Sequence, residues 1–224
     1  MIKFENTEVM NFDGAIRGMR NPLNSWDKSD SHIHNEDCDN CPHLLENHKH
    51  VLVDNVCFHL GENDLDLAQR LIKAGPDHRK FLRQIFISVD ITAPLYWWKE
   101  FDTYKVATVS NSCSTMHKIH AKEFTLEDFS HDHLNNIGKT TLLNIIERLN
   151  LDRKWFITHK DKEYWWQMIQ LLPSSYNQRR TITLNYETLR NIYGSRRNHK
   201  LDEWSKGFIP WIDSLPYAEE LIKI

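Results

Sequence analysis

Several features are scarce in this 224-residue chain, and each scarcity excludes a class of protein. Four cysteines are too few for a disulfide scaffold at this length, so we expect a reducing compartment to keep them as thiols. Only seven glycines and seven prolines, beside eight tryptophans and ten phenylalanines, exclude a disordered chain. No run approaches the ~20 apolar residues that span a bilayer, and Met1–Asn6 lacks an apolar signal core. We therefore expect a cytoplasmic protein with no membrane partner.

An excess of charge of one sign is also absent. The 28 basic and 31 acidic residues leave a formal net charge of −3, so no global basic field favours binding to long nucleic acid. Two local basic clusters, Arg179-Arg180 and Arg196–Lys200, have Tyr186 and Tyr193 nearby. This pattern is compatible with nucleotide phosphate binding, although a solvated face is the commoner explanation.

The apolar pattern predicts an α+β fold with a mixed or antiparallel sheet and several helices, organised as a single domain over residues 1–224. A strand and a short helix are expected within residues 1–20. Elsewhere, helical spacing and alternation predict helices at Asn63–Ala74, Leu95–Phe101, Thr140–Leu149, Lys162–Leu172 and Glu187–Arg196, and strands at Ile85–Ile91 and Arg180–Asn185.

Two local motifs support this assignment. Thr125 with an acidic residue three positions later, Asp128, is a capping box for a short helix. Gly138-Lys139-Thr140-Thr141 mimics the end of a phosphate-binding loop, but His133 occupies the position of the first glycine. The second motif is therefore interpreted as the start of a helix.

Residues 21–50 are polar and read as a loop or a His/Cys-rich insertion. His32 and four further candidate zinc ligands lie within a dozen positions: His34, Cys38, Cys41 and His43. Four nitrogen or sulfur ligands suffice for tetrahedral zinc, so this segment is a candidate structural zinc site. A flexible His-rich loop and a redox-active cysteine pair remain open as alternatives.

Two separated segments carry a more specific pattern. Ala93-Pro94 joins a predicted strand to a predicted helix, and Leu172-Pro173 is followed by Asn185, Asn191 and Arg196 around another helix. In these motifs the chain resembles the flavin-dependent thymidylate synthases. That resemblance implies an FAD-dependent methyltransferase that acts on C5 of dUMP, with methylenetetrahydrofolate as the one-carbon donor, NADPH as the source of hydride and a homotetrameric assembly.

The resemblance assigns roles to the helix residues. It implies that Asn185 and Asn191 contact the flavin and that Arg196 approaches the substrate pyrimidine. A guanidinium suits that place because its rigid fork can bind a developing uracil oxyanion, which makes Arg196 the candidate catalytic residue. Apart from the resemblance, the two asparagines read as caps of a helix and a turn, and Arg196 reads as a solvated charge.

The Arg-His-Arg signature of this family is replaced here by Thr103-Tyr104-Lys105. The resemblance implies that these three residues bind the cofactor. Lys105 keeps a charge that can attract phosphate but cannot form a bidentate fork, and Tyr104 is suited to stack on the flavin ring.

The stretch that follows corresponds to the family's substrate loop, and it gives Ser112 and Cys113 as substrate-binding candidates. Its dense hydroxyl groups suit phosphate oxygens, while an ordinary polar loop is the alternative. Cys113 would be a nucleophile only if a neighbour such as Lys105 or His117 lowered its pKa, and the family uses no enzyme nucleophile.

Other family residues are missing. Ile169 stands where the family has a substrate-binding arginine, and Gln84 stands where it has a histidine. These departures leave a rival hypothesis open, namely a nucleotide- or partner-binding protein on the same fold that has lost flavin chemistry. A zinc-stabilised interaction module is a third.

Overall fold

The computed structural model of the protein describes residues 2–34, 51–53 and 56–224. Helices and strands alternate in these ranges, which confirms the predicted α+β class. The strands are β1 (Lys3–Met10), β2 (His32–His34), β3 (Val51–Val53), β4 (Val56–His59), β5 (Phe86–Pro94), β6 (Val109–Ser112) and β7 (Asn177–Asn185). The α-helices are α1 (Phe12–Arg20), α2 (Glu62–Lys73), α3 (Leu95–Phe101), α4 (Asn136–His159), α5 (Lys162–Leu171), α6 (Tyr186–Arg196), α7 (Ile209–Asp213) and α8 (Ala218–Leu221).

The strands form two sheets. One has four strands in the order β1-β5-β7-β6, and the other is antiparallel in the order β2-β4-β3, with His32 opposite His59. In β5 the side chains of Ile87, Val89 and Ile91 are fully buried and alternate with partly buried polar residues. This is the period-two pattern that predicted the strand.

Helix α3 has the bounds that the sequence predicts, whereas α4 is longer than predicted. The apolar stripe Leu142, Ile146 and Leu149 identifies only its middle, while its N-cap, Asn135, lies outside that stripe. The Asn135 Oδ1 accepts a hydrogen bond from the Gly138 backbone N–H at 2.9 Å. The phosphate-loop mimic is therefore the first turn of a helix, as predicted.

The chain divides into two compact units, and the prediction of a single domain stays a prediction. Unit 1 comprises residues 1–3, 91–103 and 111–181, and unit 2 comprises residues 4–90, 104–110 and 182–224. The core of unit 1 is formed mainly by one face of α4 and by α5, with Ile119, Phe124, Phe129, Leu142, Ile146, Leu149 and Met168 buried together. The predicted capping box is present beside it, since the Asp128 carboxylate accepts from the Thr125 backbone N–H at 2.9 Å.

Unit 2 has an aromatic core. The Phe12 ring lies 5.4 Å from the Phe58 ring and 5.5 Å, edge to face, from the fully buried Tyr186 ring. A π-helical segment, Glu203–Phe208, runs directly into α7 and buries Trp204. These contacts support α6, the helix that carries Asn191 and Arg196 and is capped by Asn185.

Residues 21–34, predicted as loop, contain short 3-10 helices at Asn21–Leu23 and Trp26–Lys28 and then β2. Asp64, fully buried on α2, organises them: its carboxylate accepts from Arg20 Nε at 2.6 Å and from the hydroxyls of Ser29 and Ser31. Burial opposes ionisation of Asp64, but the hydrogen bonds outweigh it and lower its pKa.

The zinc prediction falls on Cys38, Cys41, His43 and the His34 side chain, which lie outside the described residues. Within residues 2–34, 51–53 and 56–224, no three His, Cys, Asp or Glu side chains form a metal-binding group. In the same ranges, no helix is both long enough and apolar enough to cross a membrane.

Candidate functional site

The junction between β7 and α6 is set by Asn185. This residue ends the strand and caps the helix, because its Oδ1 accepts from the Thr188 backbone N–H at 2.9 Å and from the Thr188 hydroxyl at 3.1 Å. Its side chain is almost fully buried. The capping role expected from the sequence alone is therefore present, and it leaves the amide NH2 as the group of Asn185 that can serve a ligand.

Arg196, at the other end of α6, is held in place by aromatic side chains. Its Nε donates to the Tyr104 hydroxyl at 2.8 Å, and its guanidinium carbon lies 5.0 Å from the Trp204 ring centroid and 5.6 Å from that of Tyr104. A charged hydrogen bond and two cation–π contacts fix the orientation of the side chain. Arg196 is thus a half-buried, oriented cation and not the solvated charge of the alternative interpretation.

The three residues that replace the family signature have different roles in the structure. The Thr103 hydroxyl, in unit 1, donates to the Glu100 carbonyl at 2.7 Å and so closes the end of α3. Tyr104, in unit 2, is a partner of Arg196, and Lys105 is exposed. Of the three, Tyr104 has the structural contact most relevant to the chemistry, since it orients the candidate catalytic residue.

Asn191 is exposed and lies on a different face of α6 from Arg196. At about 100° per residue, five positions separate the two side chains by about 140° around the helix axis. Asn191 lines a surface cavity in unit 2 together with several cationic side chains. The structure therefore sets Asn191 apart from Arg196, and Asn185 lies at the opposite end of α6 from Arg196.

The two substrate-binding candidates of the predicted substrate loop, Ser112 and Cys113, lie in unit 1. Ser112 ends β6 and is exposed, as is the Cys113 thiol. The Cys113 backbone is fixed on both sides: its N–H donates to the Arg179 carbonyl at 2.9 Å and its carbonyl accepts from Gln178 Nε2 at 2.7 Å. Within the described part of the chain, no hydrogen bond joins the Cys113 thiol to His117, so this neighbour gives no support to a nucleophilic thiolate.

Two contacts between an arginine and a tryptophan ring were not predicted from the sequence. Trp204, which is not among the sequence-predicted site residues, packs against Arg196. In unit 1, the Arg180 guanidinium lies 4.2 Å from the Trp98 ring centroid and forms an ion pair with Asp102 at 2.7 Å. Trp98 and Asp102 are distant from Arg180 in sequence, so no local pattern predicts that arrangement.

No protein-family model matches the sequence, and no curated protein matches it. Solved protein structures do match the structure of this chain. A crystal structure of thymidylate synthase X from Helicobacter pylori with FAD and dUMP superposes with a TM-score of 0.63 at 15% identity, covering 99% of this chain and 96% of that one. A second, of flavin-dependent thymidylate synthase from the same organism with FAD and dUMP, gives 0.62 at 16% identity and covers 96% and 98% of the two chains. The chain therefore has the fold of these flavin-dependent thymidylate synthases, and identity at this level shows the fold alone.

Proposed function

We propose that the protein is a flavoenzyme of the thymidylate synthase type that transfers a one-carbon unit to C5 of dUMP or a related pyrimidine nucleotide. The observation that carries the proposal is the oriented guanidinium of Arg196, held by Tyr104 and Trp204 at the end of α6. The support from outside the chain is its fold, which is that of Helicobacter pylori proteins whose structures hold FAD and dUMP.

In this proposal Arg196 donates to a carbonyl oxygen of the pyrimidine. Charge on that oxygen increases as C5 becomes nucleophilic, so an oriented cation stabilises the transition state more than the bound substrate. Lys105, which is exposed, would hold the nucleotide phosphate, and Ser112, also exposed, stays a separate candidate for substrate binding. Tyr104 acts through Arg196 and is a positioning residue.

The residues suited to FAD are Asn185 through its amide NH2, Asn191, Tyr104 and Lys105. They offer a flavin fewer charged contacts than the Arg-His-Arg signature does, because Lys105 is the one charged residue among Thr103, Tyr104 and Lys105. The Thr103 hydroxyl already donates to the Glu100 carbonyl. Bound FAD would supply hydride transfer. In the overall reaction dUMP, methylenetetrahydrofolate, NADPH and a proton from solvent give dTMP, tetrahydrofolate and NADP⁺: the folate gives the carbon, NADPH gives the hydride, and the C5 proton and the solvent proton end on the tetrahydrofolate nitrogens or exchange with water. We propose a homotetramer as the assembly.

The test is the visible absorption spectrum of the purified protein with added FAD, followed by titration with dUMP. We expect bound flavin whose spectrum responds to dUMP. Arg196→Lys keeps the charge but removes the fork, so it should retain FAD and lose most of the dUMP response. The matched control is Arg70→Lys on α2, where the arginine is exposed and pairs with Asp66. Absence of flavin uptake at saturating FAD would overturn the proposal.

One observation favours a second candidate, a nucleotide-binding protein without flavin chemistry. The Thr103 hydroxyl and the Asn185 Oδ1 are both engaged within the chain, and neither position carries a cation for flavin phosphates. Calorimetric binding of dUMP by protein that takes up no FAD would select this candidate.

A further inference from the structure

The outer face of α6 forms one wall of a cavity of about 330 Å³ in unit 2. Its size is at the lower end of the range for small-molecule sites. Four of the lining side chains are cationic, none is a carboxylate, and Asn191 and Tyr193 supply further polar atoms. Ile224, the last residue, also lines the cavity, so its main-chain carboxylate offsets one of the four positive charges. The cationic residues are Arg79, Arg190, Arg197 and Lys223.

Two of the guanidinium groups are anchored by contacts that leave part of each fork for a ligand. Arg79 uses its Nε on both oxygens of Glu187, at 3.0 and 2.9 Å, and Arg190 uses one Nη on the Ile222 carbonyl at 2.9 Å. Within the described residues, the two terminal NH2 groups of Arg79 donate to no protein acceptor. Anchoring reduces the entropy cost of binding, because the side chains are ordered before a ligand arrives.

The electrostatics favour an anion. Burial lowers the pKa of Arg190, the nearby Arg79 lowers it further, and Glu187 only partly opposes them. Arg197 is exposed and has no carboxylate partner in the part of the chain that the structure describes. Lys223 is paired with Glu219 and Asp213, so the excess charge facing the cavity comes mainly from the arginines. A bound anion would relieve the repulsion between Arg79 and Arg190.

We propose that this cavity binds the phosphate groups of a small phosphorylated molecule, with Arg79, Arg190 and Arg197 as the donors. Arginine forks match phosphate oxygens in geometry as well as in charge, and neighbouring forks favour a diphosphate over a single phosphate. The site is distinct from the proposed pyrimidine contact, because Arg190 lies about 120° from Arg196 around the axis of α6. It shares Asn191 with the residues proposed for FAD.

The test is isothermal titration calorimetry with inorganic diphosphate and, separately, inorganic phosphate, at an ionic strength of about 0.02 M where screening is weak. We expect diphosphate to bind more tightly than phosphate. Arg190→Gln and Arg197→Gln should each weaken diphosphate binding roughly tenfold or more, since each removes charged hydrogen bonds. Arg197 is exposed, so its replacement does not threaten folding. Arg70→Gln, which removes an exposed arginine from α2, should bind as the wild type does.

Absence of binding heat with diphosphate would overturn the proposal. Equal weakening in Arg70→Gln and Arg197→Gln would also overturn it, because the attraction would then come from net charge and not from a site. Arg196→Lys separates this inference from the flavin proposal: it should leave diphosphate binding unchanged. Loss of diphosphate binding in that variant would assign the anion to the pyrimidine nucleotide site instead.

Discussion

Replacing Tyr104 by phenylalanine tests whether this aromatic residue orients Arg196, the proposed catalytic residue. The change removes the hydroxyl that accepts from Arg196 Nε at 2.8 Å and keeps the ring 5.6 Å from the guanidinium carbon. Hydrogen bonds to charged groups contribute about 1.5–3 kcal/mol. Because Arg196 is only half-buried and water can replace the hydroxyl, we expect the lower end of that range, which corresponds to roughly a tenfold loss of dUMP affinity.

Tyr104→Ala removes the ring as well. An exposed cation–π contact contributes about 0.5–1 kcal/mol, so this variant should lose a further factor of about two to five. The assay is dUMP titration of the FAD-loaded protein, followed by the visible spectrum of the flavin. Ser195→Ala is the control, since it removes a hydroxyl hydrogen bond, to the Asn191 carbonyl, at the residue next to Arg196.

A role in positioning predicts more than a loss of affinity. If Tyr104 acts only through Arg196, then Tyr104→Phe should have almost no further effect in an Arg196→Lys background. Additive losses in the double variant would show that Tyr104 contacts the ligand directly, and wild-type dUMP affinity in Tyr104→Phe would refute the positioning role.

Two further changes separate stability from function. Asn185→Ala removes the cap of α6 and should lower the free energy of unfolding in urea by about 1 kcal/mol, whereas Asn185→Asp keeps the acceptor for Thr188. Weaker FAD binding by the Asp variant at unchanged stability would assign the amide NH2 to the cofactor. Unchanged FAD binding would remove Asn185 from the flavin site. Asp64→Asn leaves Arg20 buried without a carboxylate and should cost about 3–5 kcal/mol at neutral pH. Since the folded-state pKa of Asp64 is lowered, its stabilisation is complete above the unfolded pKa of about 3.9 and is lost as pH falls through the folded pKa. The stability difference should therefore shrink below about pH 4, and a constant difference there would contradict this account.

The secondary structure was predictable where the signals are local. Pro94 followed by an apolar run gives the bounds of α3, and alternation identifies β5. Helix α4 was underestimated because its ends are set by backbone geometry and capping, with Asn135 at one end and the left-handed Lys160 at the other, and the apolar stripe does not reach either. An apolar pattern locates the buried face of a helix better than its ends.

The candidate site was only partly predictable for a related reason. The cap at Asn185 depends on a residue three positions away, so the sequence around it contains the information. The setting of Arg196 depends on Tyr104, 92 positions earlier, and on Trp204 in the following π-helical segment, and neither contact follows from a spacing rule. Residues whose partners are distant in sequence become visible only once the chain is folded.

The altered signature changes how binding energy is distributed over the site. Orienting Arg196 in advance saves at most the ~2 kcal/mol of rotamer entropy that a free arginine side chain carries. Each charged phosphate contact missing from the signature removes about 1.5–3 kcal/mol, and Thr103 and Tyr104 provide no such contact. The gain at Arg196 therefore cannot compensate for the loss of more than one phosphate contact. For the proposed function, these contributions favour binding of the pyrimidine over binding of the flavin phosphates. We therefore expect the loss of the signature to weaken FAD binding more than dUMP binding.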